Sequence, residues 1–198
     1  VGTLYSFRFG GFTPDGRVQY LDKNGRTADW GTIRQSDRVP VGNGAPSTHF
    51  GLDNRLTWGR FDLALLLRGA SGFHIHNRHR ARNVQWYLAR YNLLREATTL
   101  PYNVMDNSDV LRTQTDFFVE KGNFVKVDNL TLGYALPLKS RLVQSVKVVA
   151  AGHNLATFTR FRGLDPEMAG ITGVTPGVYE RSAYFATRVW ALGVHATL

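Results

Sequence analysis

Cysteine is absent from the 198 residues, which excludes a disulfide framework and a thiolate metal site. Long apolar runs are missing as well. No stretch approaches the roughly 18 consecutive apolar residues of a membrane-crossing helix. No signal-peptide pattern opens the chain; Val1-Gly2-Thr3-Leu4-Tyr5 reads as the middle of a strand, as expected of a mature protein or of a piece of a longer one. Catalytic patterns are scarce too. There is no Ser-His-Asp arrangement, phosphate loop or nucleophile elbow, so neither an enzyme nor a cofactor is expected. Acidic residues are few, 15 against 24 lysines and arginines, for a formal charge of +9. Such a balance raises nucleic acid or acidic lipid as partners. The arginines are dispersed, however, and dense only from Arg78 to Arg95, so no nucleic-acid partner is expected.

What is present favours strands. Hydrophobic residues make up 43% and charged residues 20%, too apolar a mix for disorder. Twenty glycines and 12% aromatics suit a β-rich chain. From His49 to Trp58, residues Phe50, Leu52, Leu56 and Trp58 share one face, with Asn54 the exception; His49, Asp53, Arg55 and Thr57 share the other. Gly59 allows a tight turn into Phe61, Leu63, Leu65 and Leu67, opposite Asp62, Ala64, Leu66 and Arg68. Phe124–Leu136 and Val146–Phe158 are further strands. Val125 and Val127 are out of phase with Leu130, Leu132 and Tyr134, which predicts a bulge near Asp128-Asn129. Trp190–Leu198 alternates again, and Leu4–Phe9 is a sixth candidate.

The connections alternate in length. Residues 10–45, 71–115 and 159–183 are long; Gly59 and 137–145 are short. Pro14-Asp15-Gly16 and Lys23-Asn24-Gly25 mark turns in the first long loop, with a small hairpin around Y-L-D-K-N-G-R. Helical spacing of Val84, Leu88, Tyr91 and Leu94 predicts an amphipathic helix over roughly 80–97. Strands of about ten residues, short turns on one side and long loops on the other describe a transmembrane β-barrel. Trp58, Tyr134 and Trp190 near strand ends would sit in its aromatic belts.

Three runs carry a family resemblance: V-G-N-G-A-P-S-T-H-F-G-L-D-N-R-L-T-W-G-R-F-D-L (41–63), D-F-F-V-E-K-G-N-F-V-K-V-D-N-L-T-L-G-Y-A-L-P (116–137) and A-G-H-N-L-A-T-F-T-R-F-R-G-L-D-P-E (151–167). In this order, ahead of a terminal strand, they resemble the C-terminal part of SusC/RagA-type TonB-dependent outer-membrane transporters. Departures from the family pattern are Leu198 for a terminal Phe, Phe161 for Tyr and His153 for Gln. The resemblance implies an all-β chain: an antiparallel transmembrane β-barrel segment, about six C-terminal strands of a larger plugged barrel of about 22 strands. Long extracellular loops, one with a short helix, complete it. Residues 1–198 would be one portion, with the plug domain and N-terminal strands elsewhere.

The implied function is import of oligosaccharides or peptides across the outer membrane of a Gram-negative bacterium. A TonB complex would energise it through the missing N-terminal region, and a SusD-like lipoprotein would act as surface partner. Outer-membrane lipid and lipopolysaccharide would contact the wall. The alternative from another class is a soluble β-sandwich carbohydrate-binding module, with a dry core between two sheets.

Candidate site residues follow from the faces and loops. His49, Asp53, Arg55, Asp62, Arg68 and His153 would line the lumen and touch plug or ligand. Asp62 and Arg68 share a face but lie too far apart to pair directly. Arg82, Trp86, Arg90, Arg162 and Asp165 would meet the extracellular partner. Arg78, Arg80, Arg82, Arg90 and Arg95 read either as phosphate-binding groups or as a solvated loop face. His74, His76 and His79 suggest a metal site only weakly, with no carboxylate beside them, and metal is not expected. Asp165-Pro166-Glu167 reads as turn chemistry.

Overall fold

Alternating apolar and polar residues build strands whose two faces meet different surroundings, and the computed structural model shows where those faces lie. It describes residues 2–14, 17–85, 92–99, 115–138, 143–170, 173–180 and 186–197. In chain order the first strands are β1 (Thr3–Ser6), β2 (Arg8–Phe12), β3 (Val18–Leu21), β4 (Thr27–Ala28) and β5 (Val39–Asn43). The long hairpin β6 (Thr48–Trp58) and β7 (Phe61–Ser71) follows, then β8 (His74–Asn77), α1 (Arg78–Asn83) and β9 (Val119–Lys121). β10 (Phe124–Ala135), β11 (Ser145–Thr159), β12 (Val178–Tyr179) and β13 (Val189–Thr197) complete the chain.

Contacts divide the chain into two units. The sheet unit comprises Thr48–Ser71, Asn123–Thr159 and Phe185–Leu198; the loop unit comprises Val1–Ser47, Gly72–Gly122 and Arg160–Tyr184.

The sheet unit is one antiparallel sheet in the order β13-β11-β10-β7-β6. Gly59, at φ 61°, makes the tight turn that lets Trp58 pair with Phe61. Register then fixes the faces. Leu65 pairs with Asn54 and Leu130, Leu63 with Leu56 and Leu132, and Phe61 with Trp58 and Tyr134. Val148, Ala150 and Gly152 continue that face to Val194, Leu192 and Trp190. The predicted bulge is present: Leu67 pairs with Val127 but Leu66 pairs with Asn129, so Asp128 is the extra residue. One inserted residue reverses strand parity, which returns Val125 and Val127 to the face of Leu130 and Leu132. β11 carries its own insertion opposite, where Asn154 takes a left-handed φ of 53°.

This apolar face is uncovered. Trp58 is 85% exposed, Leu192 79%, Trp190 69% and Val194 65%. A sandwich would bury such a face against a second sheet; the soluble β-sandwich alternative therefore fails at these residues. The face also has rims. Phe50, Phe158 and Trp190 stand near the ends that lead to the long connections, and Trp58, Phe61 and Tyr134 near the short turns. Phe50 to Trp58 spans about 26 Å along the strand at about 3.3 Å per residue. With the usual tilt of about 40°, that is about 20 Å of height, close to the apolar band of an outer-membrane barrel.

Five long strands make this sheet among the described residues, one fewer than the six expected. The stretch from Leu4 to Phe9 belongs instead to the loop unit, where β1 pairs with β5 and β2 with β3. Its aromatics explain the difference, since Phe7 is 1% exposed and packs edge-on against the buried Tyr20. The small hairpin expected around Y-L-D-K-N-G-R is present as β3 and β4.

In the loop unit Phe7, Val18, Tyr20 and Ile33 form one apolar cluster, and Ala81, Val84, Ala97 and Phe118 form another. The helix expected over 80–97 is shorter and starts earlier. Asn77 caps α1 by accepting from the Arg80 N–H at 2.9 Å, and the helix ends at Asn83 with Val84 as C-cap. Residues 92–94 are not helical, and Arg95–Thr98 form a separate 3-10 turn. Leu88 and Tyr91, half of the helical pattern, lie outside the described residues.

Candidate functional site

The face opposite the apolar one gathers the charged side chains of the five strands. All six residues expected on a lumenal surface, His49, Asp53, Arg55, Asp62, Arg68 and His153, share it by register. Arg55 lies 3.6 Å from Asp53, both well exposed on β6. Asp62 and Arg68 do not pair with each other, as their spacing requires; each finds a partner on another strand. Arg68 Nε lies 3.1 Å from Asp128 Oδ2, and Arg68 Nη2 donates to Asp128 Oδ1 at 3.2 Å. The bulge residue thus serves both parity and charge.

Asp62 on β7 pairs with Lys147 of β11, a strand two places away. The Thr57 hydroxyl donates to the same carboxylate at 2.7 Å. β10 lies between, and Gly133 is the residue crossed. A Cβ there would sit 2.5 Å from Lys147 Cε and 3.4 Å from Asp62 Cβ. Glycine is therefore what lets a lysine reach over the middle strand. Arg55, Thr57, Asp62, Thr131 and Lys147 line the resulting open hollow. His153 pairs across β11 with Asn129 on one side and Val189 on the other.

Sequence reasoning did not single out Lys147, Asp128, Thr57 or Gly133 as site residues. Parity between Val146 and Val148 carried the signal for Lys147, but its partner across an intervening strand was invisible without register.

In the loop unit the arginines separate. Arg80 is 4% exposed and holds Glu96 in a fork, Nε to Oε1 at 2.7 Å and Nη2 to Oε2 at 2.9 Å. Its third nitrogen, Nη1, donates to Glu120 Oε1 at 3.2 Å, and its guanidinium lies 5.4 Å from the Phe118 ring centroid. The reading of Arg80 as a solvated or phosphate-binding group is thereby corrected: burial in this network leaves it no access. Arg78 pairs with Glu180 at 2.7 Å on the surface.

Of the residues expected to meet an extracellular partner, Arg162 is exposed and anchored, its backbone N–H donating to Glu120 Oε2 at 2.7 Å. Arg82 is half-buried in the last turn of α1. Asp165 departs from expectation as a surface contact. It is 6% exposed and caps the Pro166–Ala169 turn by accepting from the Glu167 N–H at 3.0 Å, the turn role its sequence suggested. Trp86 and Arg90 lie outside the described residues.

Burial sets the titration of three loop groups. It holds the His79 imidazole below its ordinary value where that ring meets Tyr179 edge-on at 5.9 Å. It raises the Tyr179 hydroxyl. It also raises the Asp116 carboxyl, although the Phe9 N–H donates to that group at 2.7 Å. Among the described residues no cluster of three or more potential ligands, His74, His76 and His79 included, is assembled to hold a metal.

No family model matches the chain. It is 27% identical over 199 residues to the TonB-dependent receptor P26 of Formosa agariphila, covering 92% of this chain and 20% of that protein. It is 23% identical over 175 residues to the TonB-dependent receptor SusC of Bacteroides thetaiotaomicron, covering 84% of this chain and 17% of SusC. In fold it is similar to a solved structure of the RagAB peptide importer in the open-open state, with a TM-score of 0.74 at 17% identity, over 99% of this chain and 22% of the other. The chain thus spans about a fifth of the curated relatives it matches. This two-faced antiparallel sheet with long connections is similar in sequence to segments of two TonB-dependent receptors and in fold to a part of RagAB.

Proposed function

We propose that the chain forms C-terminal wall strands and extracellular loops of an outer-membrane active transporter, energised by TonB, that imports oligosaccharides or peptides with a SusD-like surface lipoprotein. The observation that carries this reading is the division of one sheet into an apolar exposed face with aromatic rims and a face holding the pairs Arg55–Asp53, Arg68–Asp128 and Lys147–Asp62. The first suits lipid; the second suits a water-filled or plugged lumen. His49, Asp53, Arg55, Asp62, Arg68 and His153 would face the plug or the passing ligand, together with Lys147 and Asp128. Arg82 and Arg162 are the loop side chains that support contact with the lipoprotein. The mechanism is binding, lid closure and plug displacement, without covalent chemistry.

Two relatives named TonB-dependent receptors and a neighbour titled a peptide importer support the class. The name SusC does not choose between glycan and peptide for this chain, and both belong in the assay. Cells expressing the full-length receptor with its lipoprotein should take up a labelled oligosaccharide or peptide only when TonB is intact. Equal uptake without TonB would refute active transport. Separately, residues 1–198 expressed without detergent should aggregate; a monodisperse, cooperatively melting product would remove the wall-segment reading.

A further inference from the structure

At the short-turn rim of the sheet unit, Arg60 is the exposed tip residue of the β6–β7 hairpin. Its carbonyl accepts from the Ala135 N–H at 2.9 Å, which fixes the turn against the end of β10. Around it stand Trp58 at 85% exposure, Phe61 at 59%, and Tyr134 against Phe61 with ring centroids 4.7 Å apart. Among the described residues no side-chain hydrogen bond or ion pair engages Arg60. The adjacent acid, Asp62, is on the opposite face, held by Lys147 and Thr57. By register the apolar face of the five strands carries no Asp or Glu.

An arginine next to amphipathic rings at the edge of a lipid-facing band has one complementary occupant, a phosphate at headgroup depth. We propose that this rim is a headgroup site for an anionic phospholipid. Arg60 binds the phosphate, while Trp58, Phe61 and Tyr134 set the depth of the turn at the boundary of the acyl chains. The proposal rests on the reading of the apolar face as lipid-facing and adds a selective lipid to it. Zwitterionic lipid offers the same rings no net charge to pair with Arg60.

The test uses the full-length receptor in nanodiscs of mixed phosphatidylethanolamine and phosphatidylglycerol, with retained lipids counted by native mass spectrometry. Wild type should retain phosphatidylglycerol in excess of its share. Arg60→Gln should lower that enrichment about fivefold, the effect of one surface arginine, and Arg60→Lys should keep most of it. Unchanged enrichment in Arg60→Gln would overturn the proposal. So would displacement of the lipid by inorganic phosphate alone, which would make the site one for the free ion. Failure of the underlying reading looks different: the wild-type receptor would not enter nanodiscs at all.

Discussion

At Arg80 two glutamates share one buried guanidinium, and the cost of losing it follows from what is left behind. Arg80→Met removes the cation that Glu96 and Glu120 share beside an apolar cluster of Ala81, Val84 and Phe118. Breaking a buried pair from one side costs about 3 kcal/mol or more. Limited proteolysis of the full-length receptor should then cut near residues 78–98 at protease levels that spare wild type. His79 gives the loop unit a pH dependence. Its imidazole is depressed by burial, so the fold favours the neutral form. The stability it contributes is complete above about pH 6.5 and is lost as pH falls through the lower folded value. Hydrogen-exchange protection around residues 160–180, taken relative to the intrinsic exchange rate at each pH, should fall as pH drops from about 7.5 to about 5.5. His79→Phe should flatten that change; a profile unaltered by the substitution would show that another group controls it.

At the level of single elements, β10 carries two sequence features with separate structural effects. Deleting Asp128 would reverse the parity of Phe124–Val127, turning Val125 and Val127 to the charged face and removing the partner of Arg68. The full-length receptor should then assemble poorly and lose heat-modifiable migration on gels. Gly133 is the saddle under the Lys147–Asp62 bridge. Gly133→Val should lower the urea midpoint of the folded barrel, and Lys147→Ala in the same chain should recover part of the loss, because the Lys147 stem is what the new side chain strikes. No recovery would place the strain elsewhere. The bulge was legible in the sequence because Val125 and Val127 break phase with Leu130 and Leu132. The bridge was not, since it joins strands separated by another. Likewise the helical period from Val84 to Leu94 suggested one helix, yet Val84 is its C-cap and joins the Ala97 and Phe118 cluster instead. Tertiary burial accounted for the apolar spacing there.

For the whole molecule, the alternation of short turns and long connections pointed to the strand order of the sheet, and the motif runs carried the resemblance that the comparisons repeat. Leu4–Phe9 misled as a sixth wall strand, because the short strands β1 and β2 of the loop unit, with Tyr5 exposed and Phe7 buried, share the alternating local pattern of a wall strand. The wall itself permits a graded test. Arg at Leu192, mid-strand on the apolar face, should destabilise the inserted receptor by about 2–4 kcal/mol, whereas Arg at Ala191 on the charged face should cost little. The alternation of faces is the central claim, and the absence of cysteine from these residues makes it directly measurable. Single cysteines at Trp190 to Val194, placed one at a time in the full-length receptor in native outer membranes, can be challenged with a water-soluble maleimide. Positions 191 and 193 should label and 190, 192 and 194 should resist, in strict alternation; equal labelling at all five would contradict a wall with one face in lipid.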